Sequence, residues 1–552
     1  MCRDSCCKRK TDGHDSACEH TWMWFNIFAP AREAASTSVL SRRWRSLWRT
    51  SGAVNLDSRS FNSDGQEPQE QDYSYNRFST EEREAFHAAA ETALAAAQCT
   101  IRRLTFYFAE GSRINLMYRG EAWSEHNLVE AVVSSPAARR VEELHVKADG
   151  IDNRCTLSFG SLPSEALRVL RLVKCFLEVA PPAAAFPRLA DLLLVECGFS
   201  VVDLLRAIDG APQLSTLHLK SAYIIEEESE ETIDRHTVRS YSFRCPEVTD
   251  LVFADCKSSW NKISLEVDAP KVRYFRYKGP VQRTNLRLSL KPQSSSSLSV
   301  PNLIKVDLQL HLSDDYDAER EVRKPFWQFI QNFNTTKHLK LRLDFSLDRL
   351  ALVEEESQEE LLMGSSLFYL LERLELEAPY DPKSKASMVV LGNLLSCCPR
   401  VASLRLKLSK NEFRRPYEVD KEARLGFDKS IDHFRRHKRR KVSLGAEDDG
   451  SYDQASDFPG LSNHSFICLQ SYLRRVSLHF CMKETNCLGV QLAKFFAKKA
   501  VVLEEMYIDD GSKKLSEHIN TSVRMWSIVN SSTRRSLNLA VLPPMNCSTR
   551  SS

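Results

Sequence analysis

The stretch "LRVLRLVKCFLEVAPPAAAFPRLADLLLVECGFSVVDLLRAIDGAPQLSTLHL", residues 167–219, contains the same short pattern three times. In each copy two apolar residues flank one other residue, as Leu170 and Leu172 flank Arg171. Because successive side chains of a strand point to opposite faces, each pair lies on one face of a short strand. The stretch therefore predicts three half-buried strands in quick succession.

The pattern continues in both directions along the chain until it occurs thirteen times. The apolar pairs are Leu104 and Phe106, Leu144 and Val146, Leu170 and Leu172, Leu192 and Leu194, Leu217 and Leu219, Leu251 and Phe253, Phe275 and Tyr277, Val306 and Leu308, Leu339 and Leu341, Leu374 and Leu376, Leu404 and Leu406, Val476 and Leu478, and Met506 and Ile508. From Leu144 to Leu404 the spacing is roughly 22 to 35 residues, which is typical of one solenoid coil. Stacked coils share a core that no single coil can form. The sequence therefore predicts an α/β solenoid with irregular repeats, whose parallel strands line a concave face.

Prolines between the strands support this interpretation. A proline stands a few residues ahead of several strands, as Pro163, Pro187, Pro212 and Pro399 do. Proline ends a helix and favours an extended conformation around it. We therefore expect each coil to return through a helix or loop that stops at its proline.

A second feature is an apolar stripe near the start of the chain. If residues 32–49 form a helix, then Leu40, Trp44, Leu47 and Trp48 lie on one side. Such a stripe is typical of a core helix with a solvated basic side, of a basic amphipathic helix for a membrane surface or a calmodulin-like groove, and of a partner interface anchored by tryptophan. Periodicity alone does not choose among the three.

Composition limits the classes of function. The 552 residues carry a net charge of +3, which is too small to draw nucleic acid or membrane to the whole surface. No apolar run approaches the roughly 20 residues of a membrane span, and the sixteen cysteines follow no repeated spacing. We therefore expect a soluble cytoplasmic and/or nuclear protein with reduced thiols that pack as small apolar groups.

Motifs for catalysis are missing from the sequence. It contains no glycine-rich phosphate loop, no nucleophile elbow and no H-E-x-x-H. An N-terminal group has soft ligand types, but its spacing matches no paired zinc site: Cys2, Cys6, Cys7, His14, Cys18 and His20. The sequence therefore predicts no enzyme, no metal and no cofactor.

Two polar segments interrupt the chain. Residues 58–80 are poor in aliphatic residues and predict a linker. The linker ends in a capping box, Ser79 with Glu82, that opens a helix to about residue 98. Residues 409–465 form a polar insertion with a basic run: Arg435, Arg436, His437, Lys438, Arg439, Arg440 and Lys441. This run is typical of a nuclear import signal, of a phosphate-contacting patch or of a solvated loop.

Three segments together resemble the plant F-box proteins with leucine-rich repeats and a C-terminal FBD-type segment. They are "PAREAASTSVLSRRWRSLWRTSGAVNLD" (30–57), the irregular repeat region, and "CLQSYLRRVSLHF" (468–480) with "LAKFFAKKAVVLEEMYI" (492–508). The resemblance implies a leucine-rich-repeat solenoid preceded by a small helical partial F-box. The predicted domains are an N-terminal tail 1–25, a partial F-box 26–57, the linker 58–80, a repeat array with an N-terminal helix 81–408, the insertion 409–465, and FBD-like repeats with a tail 466–552.

The resemblance also implies a function. Proteins of this family serve as substrate-recognition subunits of Skp-cullin-F-box ubiquitin ligases, in which the F-box contacts the Skp-type adaptor and the repeats hold a target protein. The residues that match the family's apolar F-box positions are Val39, Leu40, Trp44, Leu47 and Trp48. Residues 1–25 carry no Leu-Pro followed by an acidic, leucine-rich first helix. The alternative is therefore a repeat protein that binds its target but has lost the adaptor.

Target selection in such an array depends on the residues between and beside the apolar pairs. Examples are His145, Arg171, His218, Lys340, Glu375 and Arg405. Their mixed charges indicate no particular kind of ligand. We do not expect the protein to bind nucleic acid.

Overall fold

A computed structural model describes residues 49–61, 80–97, 99–108, 128–149, 155–178, 185–225, 239–258, 263–281, 286–289, 303–312, 322–352, 368–381, 386–410, 465–480, 488–509 and 538–540. The chain divides into two compact units, unit 1 up to Pro270 and unit 2 from Lys271. Among the described helices, none has both the length and the apolar composition needed to span a membrane.

Unit 1 contains fourteen described strands and three described α-helices. The strands are β1 (Ala53–Asp57), β2 (Arg103–Phe108), β3 (Glu143–Ala148), β4 (Cys155–Ser158), β5 (Val169–Val173), β6 (Cys175–Glu178), β7 (Asp191–Val195), β8 (Gly198–Ser200), β9 (Thr216–Lys220), β10 (Tyr223–Ile225), β11 (Arg239–Arg244), β12 (Asp250–Ala254), β13 (Lys257–Ser258) and β14 (Ile263–Asp268). The helices are α1 (Thr80–Ala96), α2 (Leu128–Val133) and α3 (Val201–Asp209).

The main sheet of unit 1 stacks the predicted apolar pairs directly on one another. Its strands run in the order β1-β2-β3-β5-β7-β9-β12, and every neighbouring pair is parallel. Leu170, for example, lies in register with Leu144 on one side and Leu192 on the other. All three leucines are fully buried, and burial of each contributes about 1.5–3 kcal/mol. The ladder of leucines is therefore the core that the spacing predicted.

Short second strands return the chain in unit 1. They form a separate parallel sheet in the order β13-β10-β8-β6-β4. The turns into β6, β8, β10 and β13 each contain a residue with positive φ: Lys174 (58°), Glu196 (53°), Ser221 (49°) and Asp255 (52°). This left-handed conformation costs a non-glycine residue roughly 1–2 kcal/mol. The stacked turns offset the cost through hydrogen bonds, since the Lys174 amide donates to the Val195 carbonyl at 2.8 Å.

Cysteines occupy the inside of these turns. Cys175, Cys197 and Cys256 each follow a positive-φ residue, at the cysteine or asparagine position of the leucine-rich repeat. The Cys197 thiol donates to the Leu172 and Val195 carbonyls at 3.4 and 3.3 Å. Burial raises the pKa of Cys197 well above its ordinary value, so the thiol stays protonated. These cysteines behave as small interior groups, as predicted.

Unit 2 contains nine described strands and four described α-helices. The strands are β15 (Tyr274–Pro280), β16 (Leu286–Ser289), β17 (Lys305–His311), β18 (His338–Leu343), β19 (Arg373–Tyr380), β20 (Ser403–Lys410), β21 (Arg475–Phe480), β22 (Glu505–Asp509) and β23 (Asn538–Ala540). The helices are α4 (Arg323–Gln331), α5 (Ala386–Cys397), α6 (Ile467–Ser471) and α7 (Leu488–Lys499).

Three coils of unit 2 return through described helices. Helix α4 connects β17 to β18, α5 connects β19 to β20, and α7 connects β21 to β22. The strands β15, β17, β18, β19, β20, β21, β22 and β23 pair in parallel in that order. Leu374 lies in register with Leu339 and Leu404, so the same apolar ladder runs through this unit. On the helical side, the Phe329 ring of α4 packs against Tyr277 of β15, with the ring centres 5.3 Å apart.

The predicted solenoid is confirmed. All thirteen predicted pairs lie in strands, and every member is buried except Tyr277, which is half-buried and whose hydroxyl donates to the Pro280 carbonyl at 3.4 Å. The helix predicted to reach about residue 98 ends at Ala96. Strand β1 lies inside the segment 26–57, whose remaining residues up to 48 fall outside the described ranges. The predicted domain boundaries stay predictions.

Candidate protein-binding face

The candidate site is the sheet face opposite the buried ladder, called the outer face below. It carries the residues between and beside the buried pairs, which alternation leaves on the open side of each strand. The six residues expected there are His145, Arg171 and His218 in unit 1, and Lys340, Glu375 and Arg405 in unit 2. Arg171 is exposed and the other five are half-buried. Each unit therefore has its own outer face.

Ion pairs cover much of the outer face of unit 2. The two Glu375 carboxylate oxygens lie 3.9 Å from Lys340 Nζ and 2.6 Å from Arg373 Nη2. The Arg342 guanidinium lies 3.8 Å from Asp307 and 4.0 Å from Glu377, and Glu377 also contacts Lys407. Charges of opposite sign thus alternate from strand to strand and compensate one another within the sheet. Such a face offers little uncompensated charge to a partner.

The outer face of unit 1 has an aliphatic centre instead. Val169 and Val173 on β5, with Leu193 and Val195 on β7, lie half-buried on this face, and we call these four residues the apolar patch. Val173 is in register with Val195, so the patch is continuous across the two strands. Apolar side chains on the open side of a sheet are typical of a surface that another molecule covers.

Two cations border the apolar patch without an ion pair among the described residues. Arg171 is the register partner of Leu193, and Lys220 on β9 is the register partner of Val195. Asp191 is the acidic residue at the edge, in register with Val169. Other ion pairs lie nearby: Glu143 with Arg103 at 2.6 Å, Lys147 with Asp149 at 2.9 Å, and Lys174 with Glu196 at 4.0 Å. The Asp250 carboxylate is hydrogen-bonded to His218 Nε2 at 3.2 Å.

His145 lies next to Arg171 on the neighbouring strand. Its Nε2 atom is buried and has no hydrogen-bond partner in the described part of the chain. Burial, followed by the positive charges of Arg171 and Arg103, lowers the pKa of His145 to about 4. The imidazole is therefore neutral near pH 7.

A closed polar cluster ends the outer face on the β1–β3 side. The Tyr107 hydroxyl donates to Asp149 Oδ2 at 2.7 Å, and this hydrogen bond raises the pKa of Tyr107. The Arg59 guanidinium and the Lys147 ammonium lie 4.8 and 4.9 Å from the Tyr107 ring centre. Arg59 and Lys147 form ion pairs with Asp57 and Asp149, so within the described residues they do not join Arg171 and Lys220 as unpaired cations.

Several predicted sites fall outside the described ranges. They are the apolar F-box positions Val39, Leu40, Trp44, Leu47 and Trp48, the basic run Arg435 to Lys441, and the N-terminal cysteine and histidine group. These assignments stay predictions. Within the described part, no group of three or more His, Cys, Asp or Glu side chains is placed to hold a metal ion.

The apolar patch was missed from the sequence, although a signal was present. The strands read "VLRLV" (169–173) and "DLLLV" (191–195), with apolar residues on both faces of the sheet. A strand that is apolar on both faces indicates that both are covered. The pattern of buried pairs alone does not reveal the apolar residues on the outer face.

Comparison with known proteins defines the class. Residues 129–309 match the family model described as "FBD-associated F-box protein At5g56370, LRR repeats". The matched segment is less than half of the chain and includes the whole apolar patch. No curated protein matches the chain. The fold and this match together define a leucine-rich-repeat protein whose repeats are similar to those of an FBD-associated F-box protein.

Proposed function

We propose that the protein is the substrate-recognition subunit of a Skp-cullin-F-box E3 ubiquitin ligase and binds its target through the leucine-rich repeats. The observation that carries the proposal is the match of residues 129–309 to F-box protein repeats. The resemblance of residues 30–57 to the second half of an F-box supports it. In this role the protein makes no bond itself but raises the effective concentration of target near the ubiquitin-loaded enzyme.

The proposed adaptor contact uses Val39, Leu40, Trp44, Leu47 and Trp48. Large aromatic side chains dominate protein interfaces, so Trp44 and Trp48 carry most of the expected binding energy. The arginines between them form the solvated side. In the cell, the basic run Arg435 to Lys441 directs part of the protein to the nucleus, and a tagged protein lacking the run is expected only in the cytoplasm.

The second candidate is a target-binding repeat protein that no longer binds the adaptor, as a decoy. The specific observation in its favour is the segment "CRDSCCKRKTDGHDSACEHTWMW" (2–24), which stands where the family has its first F-box helix. That helix supplies much of the adaptor contact in the family. We therefore expect weak adaptor binding by the native chain and restored binding when a family-type first helix replaces residues 2–24.

Co-purification with a Skp-type adaptor and a cullin separates the two candidates. Adaptor retained by the native chain, and lost in the Trp44→Ala/Trp48→Ala variant, supports the ligase subunit. The matched control Arg42→Ala/Arg45→Ala keeps the adaptor. Retention only after helix replacement supports the decoy. Retention by neither protein contradicts the F-box assignment.

A further inference from the structure

The outer face of unit 1 differs from an ordinary solvated sheet in two independent ways. Its centre is aliphatic, with Leu193 and Val195 open on the same side of β7. Two cations, Arg171 on β5 and Lys220 on β9, stand on either side of that centre without an ion pair among the described residues. A partner that covers the patch must therefore supply apolar side chains and negative charge together.

The geometry also limits the shape of the partner. The apolar patch spans β5 and β7, which are neighbouring strands about 4.8 Å apart. Lys220 adds one further strand on the β9 side, and His145 adds one on the β3 side. A single extended segment that crosses these four strands contacts His145, Arg171, Leu193 and Val195, and Lys220 in turn.

We propose that the apolar patch, with Arg171 and Lys220, binds an extended acidic segment of the target protein that carries aliphatic anchors. The proposal rests on the proposed function in that it names the chemistry of the target. Aliphatic side chains of the segment cover Val173, Leu193 and Val195, and its carboxylates pair with the two cations.

Several acidic residues near the patch oppose an acidic ligand. Asp191 lies at the edge of the patch beside Val169, so the segment must leave this corner free or place a donor there. Glu143 and Glu196 are each held in an ion pair with a cation, and the Asp250 carboxylate is hydrogen-bonded to His218. Arg171 and Lys220 are therefore the charges beside the centre of the patch that have no ion pair among the described residues.

A displayed library of random peptides, selected on the full-length protein, tests the proposal. We expect enriched peptides to combine acidic and aliphatic residues. Binding of the most enriched peptide, measured by fluorescence anisotropy, should weaken at least about tenfold in Arg171→Glu, because a like charge then faces its carboxylates. Lys220→Glu and Leu193→Ser should weaken the same peptide, and added salt should weaken it further in the wild type.

The matched control is Arg405→Glu, because Arg405 stands between Leu404 and Leu406 as Arg171 stands between Leu170 and Leu172. Arg405→Glu is expected to leave peptide binding unchanged. Thermal unfolding of each variant checks that the fold is retained. Enrichment of basic or purely polar peptides, or equal loss of binding in Arg405→Glu, overturns the proposal. Since no adaptor is present in the assay, failure of the F-box assignment leaves its outcome unaffected.

Discussion

Units 1 and 2 use the same buried ladder but differ on both of their other surfaces. In unit 1 the coils return through short second strands, and the outer face has an aliphatic centre with unpaired cations. In unit 2 they return through helices, and the outer face is covered with ion pairs such as Arg373 with Glu375. The buried pairs therefore specify the fold, while the residues between them are free to specify binding.

Because the chain returns between strands differently in the two units, the units are also stabilised in different ways. Unit 1 stacks positive-φ turns, so that the Glu196 amide donates to the Lys220 carbonyl at 2.7 Å in the next coil. Unit 2 packs helices with large side chains, and Trp327 Nε1 donates to the Leu350 carbonyl at 3.1 Å. The first arrangement depends on backbone contacts between coils and the second on side-chain packing.

The largest expected effect tests whether the ladder is equivalent in the two units. Leu194→Ala in unit 1 and Leu376→Ala in unit 2 each remove a fully buried side chain from the same position of the repeat. Each is expected to lower the free energy of unfolding by about 2–5 kcal/mol, because a cavity remains in the core. Urea denaturation measures the loss. A loss below about 1 kcal/mol in either variant would contradict a shared ladder.

The next largest effect concerns the contact between Gly198 and Phe176 in the second sheet of unit 1. A Cβ atom at Gly198 would lie 2.5 Å from the Phe176 ring, because Gly198 and Phe176 are register partners on β8 and β6. Gly198→Ala is therefore expected to cost about 1–3 kcal/mol. The double variant Gly198→Ala/Phe176→Leu should cost less than the sum of the two single changes. Additive losses would show that the two residues are not in contact.

A pH effect is expected at His145. Its folded pKa of about 4 lies below the ordinary value of 6.5, so the unfolded chain binds more protons between these values. Stability contributed by neutral His145 is full above pH 6.5 and is lost as the pH falls toward 4. The free energy of unfolding of His145→Gln, compared at pH 7 and 4.5, should fall less than that of the wild type. Equal falls in both proteins would contradict the buried imidazole.

The smallest effect concerns the charged face of unit 2. Lys407 and Glu377 form an exposed ion pair, and such pairs contribute about 0–1 kcal/mol. Lys407→Ala should therefore change the thermal midpoint by no more than a few degrees, whereas it leaves peptide binding to unit 1 unaltered. A large destabilisation would mean that the outer face of unit 2 stabilises the fold itself.

The buried ladder could be predicted from the sequence because period-two alternation is a local signal. Pairs such as Leu170 and Leu172 identify their strands without reference to any other part of the chain. The second strands were not predictable in this way. Strand β8 has three residues, and its turn residue Glu196 has a left-handed conformation that no glycine announces. Contacts with neighbouring coils hold both features in place.

The candidate site was predictable only in part for a related reason. The alternation of residues in the sequence placed His145, Arg171 and Lys340 on the outer face, and the residue types gave their charges. Which charges cancel depends on the register, since Lys340 lies beside Glu375 whereas Arg171 lies beside Leu193. Register joins residues that are 20 or more positions apart in this chain, and it follows from the turns rather than from the pairs.

Side-chain footprinting of the full-length protein tests the central comparison most directly. Carbene labelling is measured with and without the most enriched library peptide, and labelled residues are located by mass spectrometry. We expect the peptide to reduce the labelling of Val173, Leu193 and Val195 in unit 1 and to leave the labelling of Lys340 and Arg405 in unit 2 unchanged. Protection confined to unit 2, with Leu193 and Val195 labelled equally in both samples, would contradict it.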